Sequence, residues 1–308
     1  MRRLITVFVG FILLSACTSS STSAVRVVVS TNILGDIVSE IISCGGGSTE
    51  VLMPIGASAH DFSVSSQQVV DMTTADLVVL NGLGLESALK KVIDNVKAEG
   101  GRVFEVGEGV DPLEVSNAGV IEEHSHDHDH ENGEFDPHFW LDMGRMAKAA
   151  LLIGKELSNV TTDPNYEKCA MEVSEEILTK ETSLVEKLNQ IPEEKRLLVV
   201  DHESFNYFAT AYDFEVVGSL IPSISDNAQP SSDELAALIS LIQERYVTAI
   251  FVGSENTKKL ATALVTEIGR PIAVSTLYEG SLGTKESEVS TYLKMMEFNV
   301  DTIVKALS

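Results

Sequence analysis

The order of short apolar runs along the chain is the feature that most restricts its fold. The β-branched runs Val25–Ser30 and Asp76–Asn81 each precede a helical segment. This alternation of strand and helix stops near residue 107 and resumes after Pro192. The later strand patterns lie at 196–200, 214–220, 249–252 and 272–275. A repeated β-α-β order predicts parallel sheets covered by helices, which is the α/β fold class.

A long amphipathic segment separates the two series. No glycine or proline occurs from Asn165 to Gln190, and apolar residues recur there at helical spacing, so we predict a helix of about 25 residues. The length of 308 residues also favours two domains over one. We therefore expect an N-terminal lobe over 25–160, a connecting helix over 161–191 and a C-terminal lobe over 192–308.

The first 24 residues predict export. Two arginines precede the apolar run Leu4–Leu14, which is too short to span a bilayer. Small residues then precede Cys17, which predicts a signal peptide over 1–16 and a Ser/Thr-rich tether over 17–24. This junction resembles the bacterial lipobox, which implies that Cys17 carries a lipid anchor. The alternative is an ordinary secretory peptide with an incidental cysteine.

The charge of the chain excludes nucleic acid as a partner. The chain has 22 basic and 46 acidic residues and a formal net charge of −24, whereas nucleic-acid binding needs a basic face. The acidity either favours the approach of cations or only keeps an exported protein in solution.

Two cysteines remain in the exported part, Cys44 and Cys169. An oxidising exterior allows them to form a disulfide, but their separation in sequence does not decide whether they meet. Neither belongs to a C-x-x-C motif, which disfavours a cysteine zinc site.

All seven histidines occupy positions that suit metal binding. His60 follows a strand and a Pro-Ile-Gly turn, His138 lies in a turn before a helix, and His202 follows the strand pattern LLVVD. Residues just past the carboxyl ends of parallel strands line the ligand crevice of open α/β sheets. Because neutral imidazole is the commonest protein ligand for zinc, these three histidines predict a transition-metal site.

The other four histidines lie in an acidic loop over 120–134. They are His124, His126, His128 and His130. We expect this loop to be mobile and to gather zinc loosely or to sense it. The alternative is a solvated acidic loop with no metal role.

Several further motifs can be compared with known families. They are MPIGASAH, ADLVVLNGLGLE, DPHFWLD, DHESFNYFA and the C-terminal Tyr292, Met295, Met296 and Asn299. In these motifs, and in its His-rich loop, the chain resembles the ZnuA/TroA-like solute-binding lipoproteins of bacterial ABC importers for zinc and manganese. The resemblance covers nearly the whole mature chain. It implies that His60, His138 and His202 are ligands of one metal ion in the cleft between the lobes.

Several departures from the family pattern concern the ligand set. Many members place an aspartate ligand where Leu277 stands here, so we expect Glu279 or a water molecule to fill the fourth position. Gln229 stands in place of a glutamate, and Ser58-Ala59 stands where many members have Asp-Pro before the first histidine. Manganese prefers more oxygen donors than this set offers, so we expect Zn²⁺, with manganese or iron as the alternative.

Each ligand imidazole is expected to pass its second N–H to an oxygen. The acidic neighbours of the three histidines are the candidates for this role. They are Asp61, Asp136 and Asp201.

The resemblance implies an extracytoplasmic, lipid-anchored monomer that is not an enzyme and delivers its ion to an ABC permease and its ATPase. A zinc hydrolase is an alternative, because three histidines and a water also form a hydrolytic site. The chain has neither an H-E-x-x-H nor a G-x-S-x-G motif, however. An adhesin is a further alternative without support in the sequence.

Overall fold

The computed structural model describes residues 24–115, 135–226 and 228–308. The predictions for the signal peptide, Cys17 and the loop histidines His124–His130 fall outside these described residues. Within the three ranges, no helix has the length and hydrophobicity that a membrane span requires.

The first series folds into a four-stranded parallel sheet in the order β2-β1-β3-β4. Strand β3 is buried along its whole length, which explains its continuous apolar sequence. The strands are β1 (Val25–Val29), β2 (Gly47–Val51), β3 (Leu77–Leu80) and β4 (Val103–Glu105), and the helices are α1 (Asn32–Gly45), α2 (Ser66–Thr74) and α3 (Lys90–Ala98).

The second series forms two parallel strand pairs, and the inner strands of the two pairs are neighbours in space. The first pair is β5 (Leu197–Val200) with β6 (Glu215–Ser219), and the second is β7 (Ala249–Val252) with β8 (Ala273–Thr276). Helices α6 (Asn206–Tyr212), α7 (Ser232–Glu244) and α8 (Glu255–Ile268) belong to this half. The predicted α/β fold class with parallel sheets is confirmed.

Three longer helices complete the fold: α4 (Met143–Thr161), α5 (Asn165–Leu188) and α9 (Tyr292–Leu307). Helix α5 has 24 residues and occupies the segment predicted to be one long helix. It packs against α4, α1 and α9, so both halves of the molecule contact it.

Two local contacts fasten these helices to the first half. Cys44 at the end of α1 and Cys169 in α5 form a disulfide, with their Cα atoms 6.2 Å apart. The Asp36 carboxylate of α1 accepts a hydrogen bond from the backbone N–H of Tyr292 at the start of α9 (2.8 Å). The C-terminal helix therefore returns to the N-terminal half.

Candidate metal centre

The structure brings the three cleft histidines together. His60 lies in the loop after β2, His138 lies before α4 and His202 lies directly after β5. The Nε2 atom of His138 is 3.2 Å from Nε2 of His60 and 3.4 Å from Nε2 of His202. A nitrogen of each ring lies within 4.8 Å of the others.

These separations match those of ligands around one small cation. In a tetrahedral zinc site with Zn–N bonds of about 2.0–2.1 Å, neighbouring nitrogens lie about 3.3–3.4 Å apart. The observed 3.2 and 3.4 Å agree with that geometry. Three convergent ring nitrogens can therefore share one ion and leave one tetrahedral position for another donor.

Asp136 fixes the ring of His138. Its Oδ1 atom accepts hydrogen bonds from Nδ1 (2.8 Å) and from the backbone N–H (2.9 Å) of His138. Asn206 in turn donates to Asp136 Oδ2 (3.0 Å), and the Tyr207 hydroxyl donates to the Asp136 carbonyl (2.8 Å). Because Nδ1 is occupied in this way, Nε2 is the nitrogen that faces the cleft.

Asp201 fixes the ring of His202 in the same way. Its Oδ1 atom lies 2.6 Å from His202 Nδ1. Its Oδ2 atom accepts hydrogen bonds from the backbone N–H of Gly253 (2.9 Å) and from the Thr257 hydroxyl (3.0 Å). Two of the three acidic neighbours singled out in the sequence therefore contact the far nitrogen of a candidate ligand imidazole.

The third acidic neighbour, Asp61, is exposed and does not line the cavity. His60 is correspondingly less constrained than the other two histidines. The His60 backbone N–H donates a hydrogen bond to Ser58 Oγ (3.3 Å).

Glu279, expected as a fourth ligand, reaches the site from the other side of the His202 ring. Its Oε1 atom lies 3.5 Å from His202 Nδ1, and its Oε2 atom accepts a hydrogen bond from Ser204 (2.8 Å). The absence of a side chain at Gly253 makes room for it, because a Cβ atom there would lie 1.9 Å from Glu279 Oε1. Glu279 therefore faces Nδ1 in this conformation, away from the three Nε2 atoms.

The three imidazoles differ in protonation. Burial, and then the two other rings, lower the pKa of His60 to about 4. Burial likewise lowers the pKa of His138, although Asp136 opposes it. Burial alone would lower the pKa of His202, but Glu279 and Asp201 together outweigh it and raise that pKa to about 10. At neutral pH, His60 and His138 are therefore neutral, whereas His202 carries a proton that a metal ion must displace.

The imidazoles open into a cavity of about 750 Å³ between the two halves. Its walls include His60 and His138 from the N-terminal half and His202 and Asp226 from the C-terminal half. Sequence reasoning did not identify Asp226, because it lies in a Ser- and Pro-containing loop after β6 and in no recognisable motif. Its carboxylate accepts a hydrogen bond across the cleft from Ser58 Oγ (2.9 Å).

Trp140 joins the two walls behind the site. Its ring lies against the ring of His138, with centroids 5.2 Å apart. Its Nε1–H donates a hydrogen bond to the backbone carbonyl of Glu279 (2.6 Å). One buried side chain therefore touches a ligand of the first half and the segment that carries Glu279 in the second.

Comparison with known proteins places this arrangement in a family. The family described as "ZnuA: Zinc-uptake complex component A periplasmic" matches residues 27–306. The manganese-binding lipoprotein MntA of Halalkalibacterium halodurans is 28% identical over 295 residues, which cover 94% of this chain and 91% of that protein. The manganese ABC transporter substrate-binding lipoprotein PsaA of Streptococcus mitis is 28% identical over 327 residues, which cover 100% of both.

Solved structures share the fold. A Mn-bound periplasmic metal binding protein from Candidatus Liberibacter asiaticus superposes with a TM-score of 0.78 at 25% identity and covers 92% of this chain and 100% of its own. The periplasmic zinc binding protein TroA from Treponema pallidum gives a TM-score of 0.79 at 24% identity, with coverage of 92% and 99%. The resemblance predicted from the motifs is confirmed, and the chain belongs to the ZnuA family.

Proposed function

We propose that the protein is the metal-binding receptor of an ABC importer, which takes one ion into the cleft between its lobes and delivers it to the permease and its ATPase. The observation that carries this proposal is the convergence of three imidazole Nε2 atoms, 3.2 and 3.4 Å apart, on one point of the cleft. Membership in the ZnuA family supports a receptor rather than an enzyme such as a zinc hydrolase.

Zinc is the cargo that the donor set favours. Three imidazoles face the site, whereas Asp136 and Asp201 face the far nitrogens of their rings. Manganese prefers oxygen donors, so a centre dominated by imidazole suits zinc better. Manganese is the second candidate, and the printed names of the relatives MntA and PsaA favour it.

We also propose that the receptor works outside the cytoplasm as a monomer, anchored through lipid on Cys17. The lipobox-like junction before this cysteine supports the anchor. The relatives MntA and PsaA are both named lipoproteins, which supports the same assignment.

Competition titration with a chromophoric chelator tests the proposal. The purified protein is expected to bind one zinc ion tightly and manganese more weakly. His60→Ala, His138→Ala and His202→Ala should each lower zinc affinity by about tenfold or more, because each removes one of few ligands. Asp61→Ala is the matched control, since it removes an exposed side chain beside His60.

Two results would overturn parts of this proposal. Unchanged zinc affinity in all three histidine variants would refute the site. Tighter binding of manganese than of zinc would assign the receptor to manganese and leave the site intact.

A further inference from the structure

The fourth coordination position of the three-histidine centre has no obvious donor. Leu277 lines the cavity, but it is an apolar side chain, 2% exposed, and offers no donor atom. Three carboxylates line the described part of the cavity: Asp201, Asp226 and Glu279. These three side chains are the candidate donors for the fourth position.

Two of the carboxylates are already engaged in holding the His202 ring. Asp201 bonds to His202 Nδ1 with one oxygen and to Gly253 and Thr257 with the other. Glu279 faces the same Nδ1 and is held there by Ser204. Moving either of them to the Nε2 side would leave buried donors without acceptors, which is costly.

Asp226 is placed differently. It belongs to the second half of the chain, yet its Oδ1 atom accepts the hydrogen bond from Ser58, two residues before His60. Its side chain lines the same cavity as His60, His138 and His202. The residue is partly exposed, so releasing its one hydroxyl partner costs less than disturbing Asp201.

We propose that Asp226 supplies the fourth ligand, so that its carboxylate leaves Ser58 and binds the ion held by His60, His138 and His202. Asp226 does not belong to the three-histidine cluster in the present conformation, and a rotation of its side chain or a small closure of the lobes brings it in. The shell would then be three imidazoles and one carboxylate, with the carboxylate coming from the loop after β6. This inference rests on the proposed metal-receptor function.

Four variants distinguish two roles of Asp226. It is either a metal ligand or only a latch, by which we mean a residue that links the lobes through its hydrogen bond to Ser58. Asp226→Ala removes both the carboxylate and the acceptor for Ser58. Asp226→Asn keeps an acceptor for Ser58 but removes the anionic ligand, whereas Ser58→Ala removes the latch and keeps the carboxylate. Asp61→Asn removes a neighbouring charge that does not line the cavity. Each variant is titrated with zinc, and its Co²⁺ complex is examined by visible absorption, which reports the number and type of ligands.

The ligand assignment predicts that Asp226→Ala and Asp226→Asn both lose about tenfold or more in zinc affinity and share an altered Co²⁺ spectrum. Asp61→Asn should stay within about threefold of the zinc affinity of the natural protein. Ser58→Ala and Asp61→Asn should both keep the Co²⁺ spectrum of the natural protein, since neither removes a ligand. A latch without a metal role predicts instead that Ser58→Ala and Asp226→Ala weaken together while Asp226→Asn binds normally. That pattern, or an unchanged Co²⁺ spectrum in Asp226→Asn, overturns the inference. Absence of tight zinc binding in the natural protein would instead overturn the proposed function.

Discussion

His202 differs from the other two cleft histidines because two carboxylates face its Nδ1 atom. Asp201 and Glu279 together raise its pKa to about 10 despite its burial. They also lock the ring so that Nε2 points to the metal position. The same two carboxylates therefore set both the orientation and the basicity of this candidate ligand, and we expect a bound cation to exchange with the proton that they stabilise.

Zinc binding is expected to release one proton at neutral pH. Three histidines with ordinary pKa values would take up close to three protons per zinc released below about pH 6 and give a flat affinity above about pH 7.5. Here His60 is neutral down to a pKa of about 4, and His202 is protonated up to about 10. Affinity should therefore rise about tenfold per pH unit between about pH 6 and 8.

Dissociation constants measured across that range on the protein without residues 122–131 check this prediction. A flat profile, or a slope near three, would show that the proton on His202 is not the one displaced. The His202→Ala variant should bind zinc weakly, and its zinc affinity should no longer rise with pH between about pH 6 and 8.

The sequence predicted that the three imidazoles meet, because strand-end positions and turns place side chains at one edge of a sheet. It could not predict on which side of the His202 ring Glu279 would lie. That depends on the space beside Gly253, which lies just after strand β7. Asp226 was missed for a related reason, since only the packing of two loops brings it to Ser58.

Among the elements, α5 was predictable because it has no breaker and a continuous apolar face. The hydrophobicity of the sequence does not mark strand β2 at Gly47–Val51. It is a partly exposed edge strand, so hydrophobicity indicated the buried residues that follow it. The pairing of Cys44 with Cys169 stayed open in the sequence because it depends on how α1 and α5 pack.

The disulfide between α1 and α5 is expected to stabilise the protein measurably. It closes a separation of 125 residues, and bonds across long loops restrict the unfolded chain strongly. Reduction should lower the free energy of unfolding by about 2–5 kcal/mol. Urea unfolding with and without reductant measures this. The double variant Cys44→Ser/Cys169→Ser should unfold at the same urea concentration as the reduced protein, and reductant should not change its midpoint. Equal urea midpoints for the oxidised and the reduced natural protein would contradict the prediction.

A carboxylate on α1 should make stability depend on pH. Burial, and then the nearby Asp36 and Glu176, raise the pKa of Glu40 to about 7. Lys294 acts on the neighbouring Asp36, where it partly opposes the rise in pKa that burial causes. The folded state thus holds the proton more tightly than the unfolded state, so the contribution of Glu40 is most favourable below about pH 4.5 and is lost as pH rises through about 7.

Glu40→Gln should therefore raise the melting temperature at pH 8 and change it little at pH 4.5. Thermal melts at both values, with the exposed Glu175→Gln as control, provide the measurement. An equal shift at the two pH values would show that charge at Glu40 is not the cause.

At the scale of the whole molecule, the two halves meet along the rim of the cleft. Asn32 donates to Ser281 Oγ (2.8 Å) and accepts from the backbone N–H of Leu282 (2.9 Å), and the Gly56 N–H also donates to Ser281 (2.9 Å). With α5 and α9 packed across both halves, we expect small closure movements rather than a wide hinge.

The His-rich loop should add metal capacity without forming the tight site. Deleting Glu122–Glu131 removes four imidazoles and none of the three cleft histidines. Zinc titration should then lose the weaker equivalents and retain one tight equivalent, because the cleft ligands remain. Loss of the tight equivalent would place the loop in the primary shell.

Attachment to the membrane should depend on one residue. Cys17→Ser is expected to prevent lipid attachment and to move the protein from the membrane fraction to the soluble fraction, since it removes the thiol that the lipobox-like junction offers to the lipid. Fractionation of cells that produce either form checks this. Continued membrane association of the serine variant would point to a different anchor.

Trp140, the contact between His138 and the Glu279 segment, is also the only tryptophan in the chain. Indole emission from the unmodified protein therefore originates at a single point beside the ion. Closed-shell Zn²⁺ can change that emission only by altering the surroundings of the ring, whereas the unpaired electrons of Mn²⁺ quench it directly. The receptor carries its own optical probe, which can distinguish the two cations without a label.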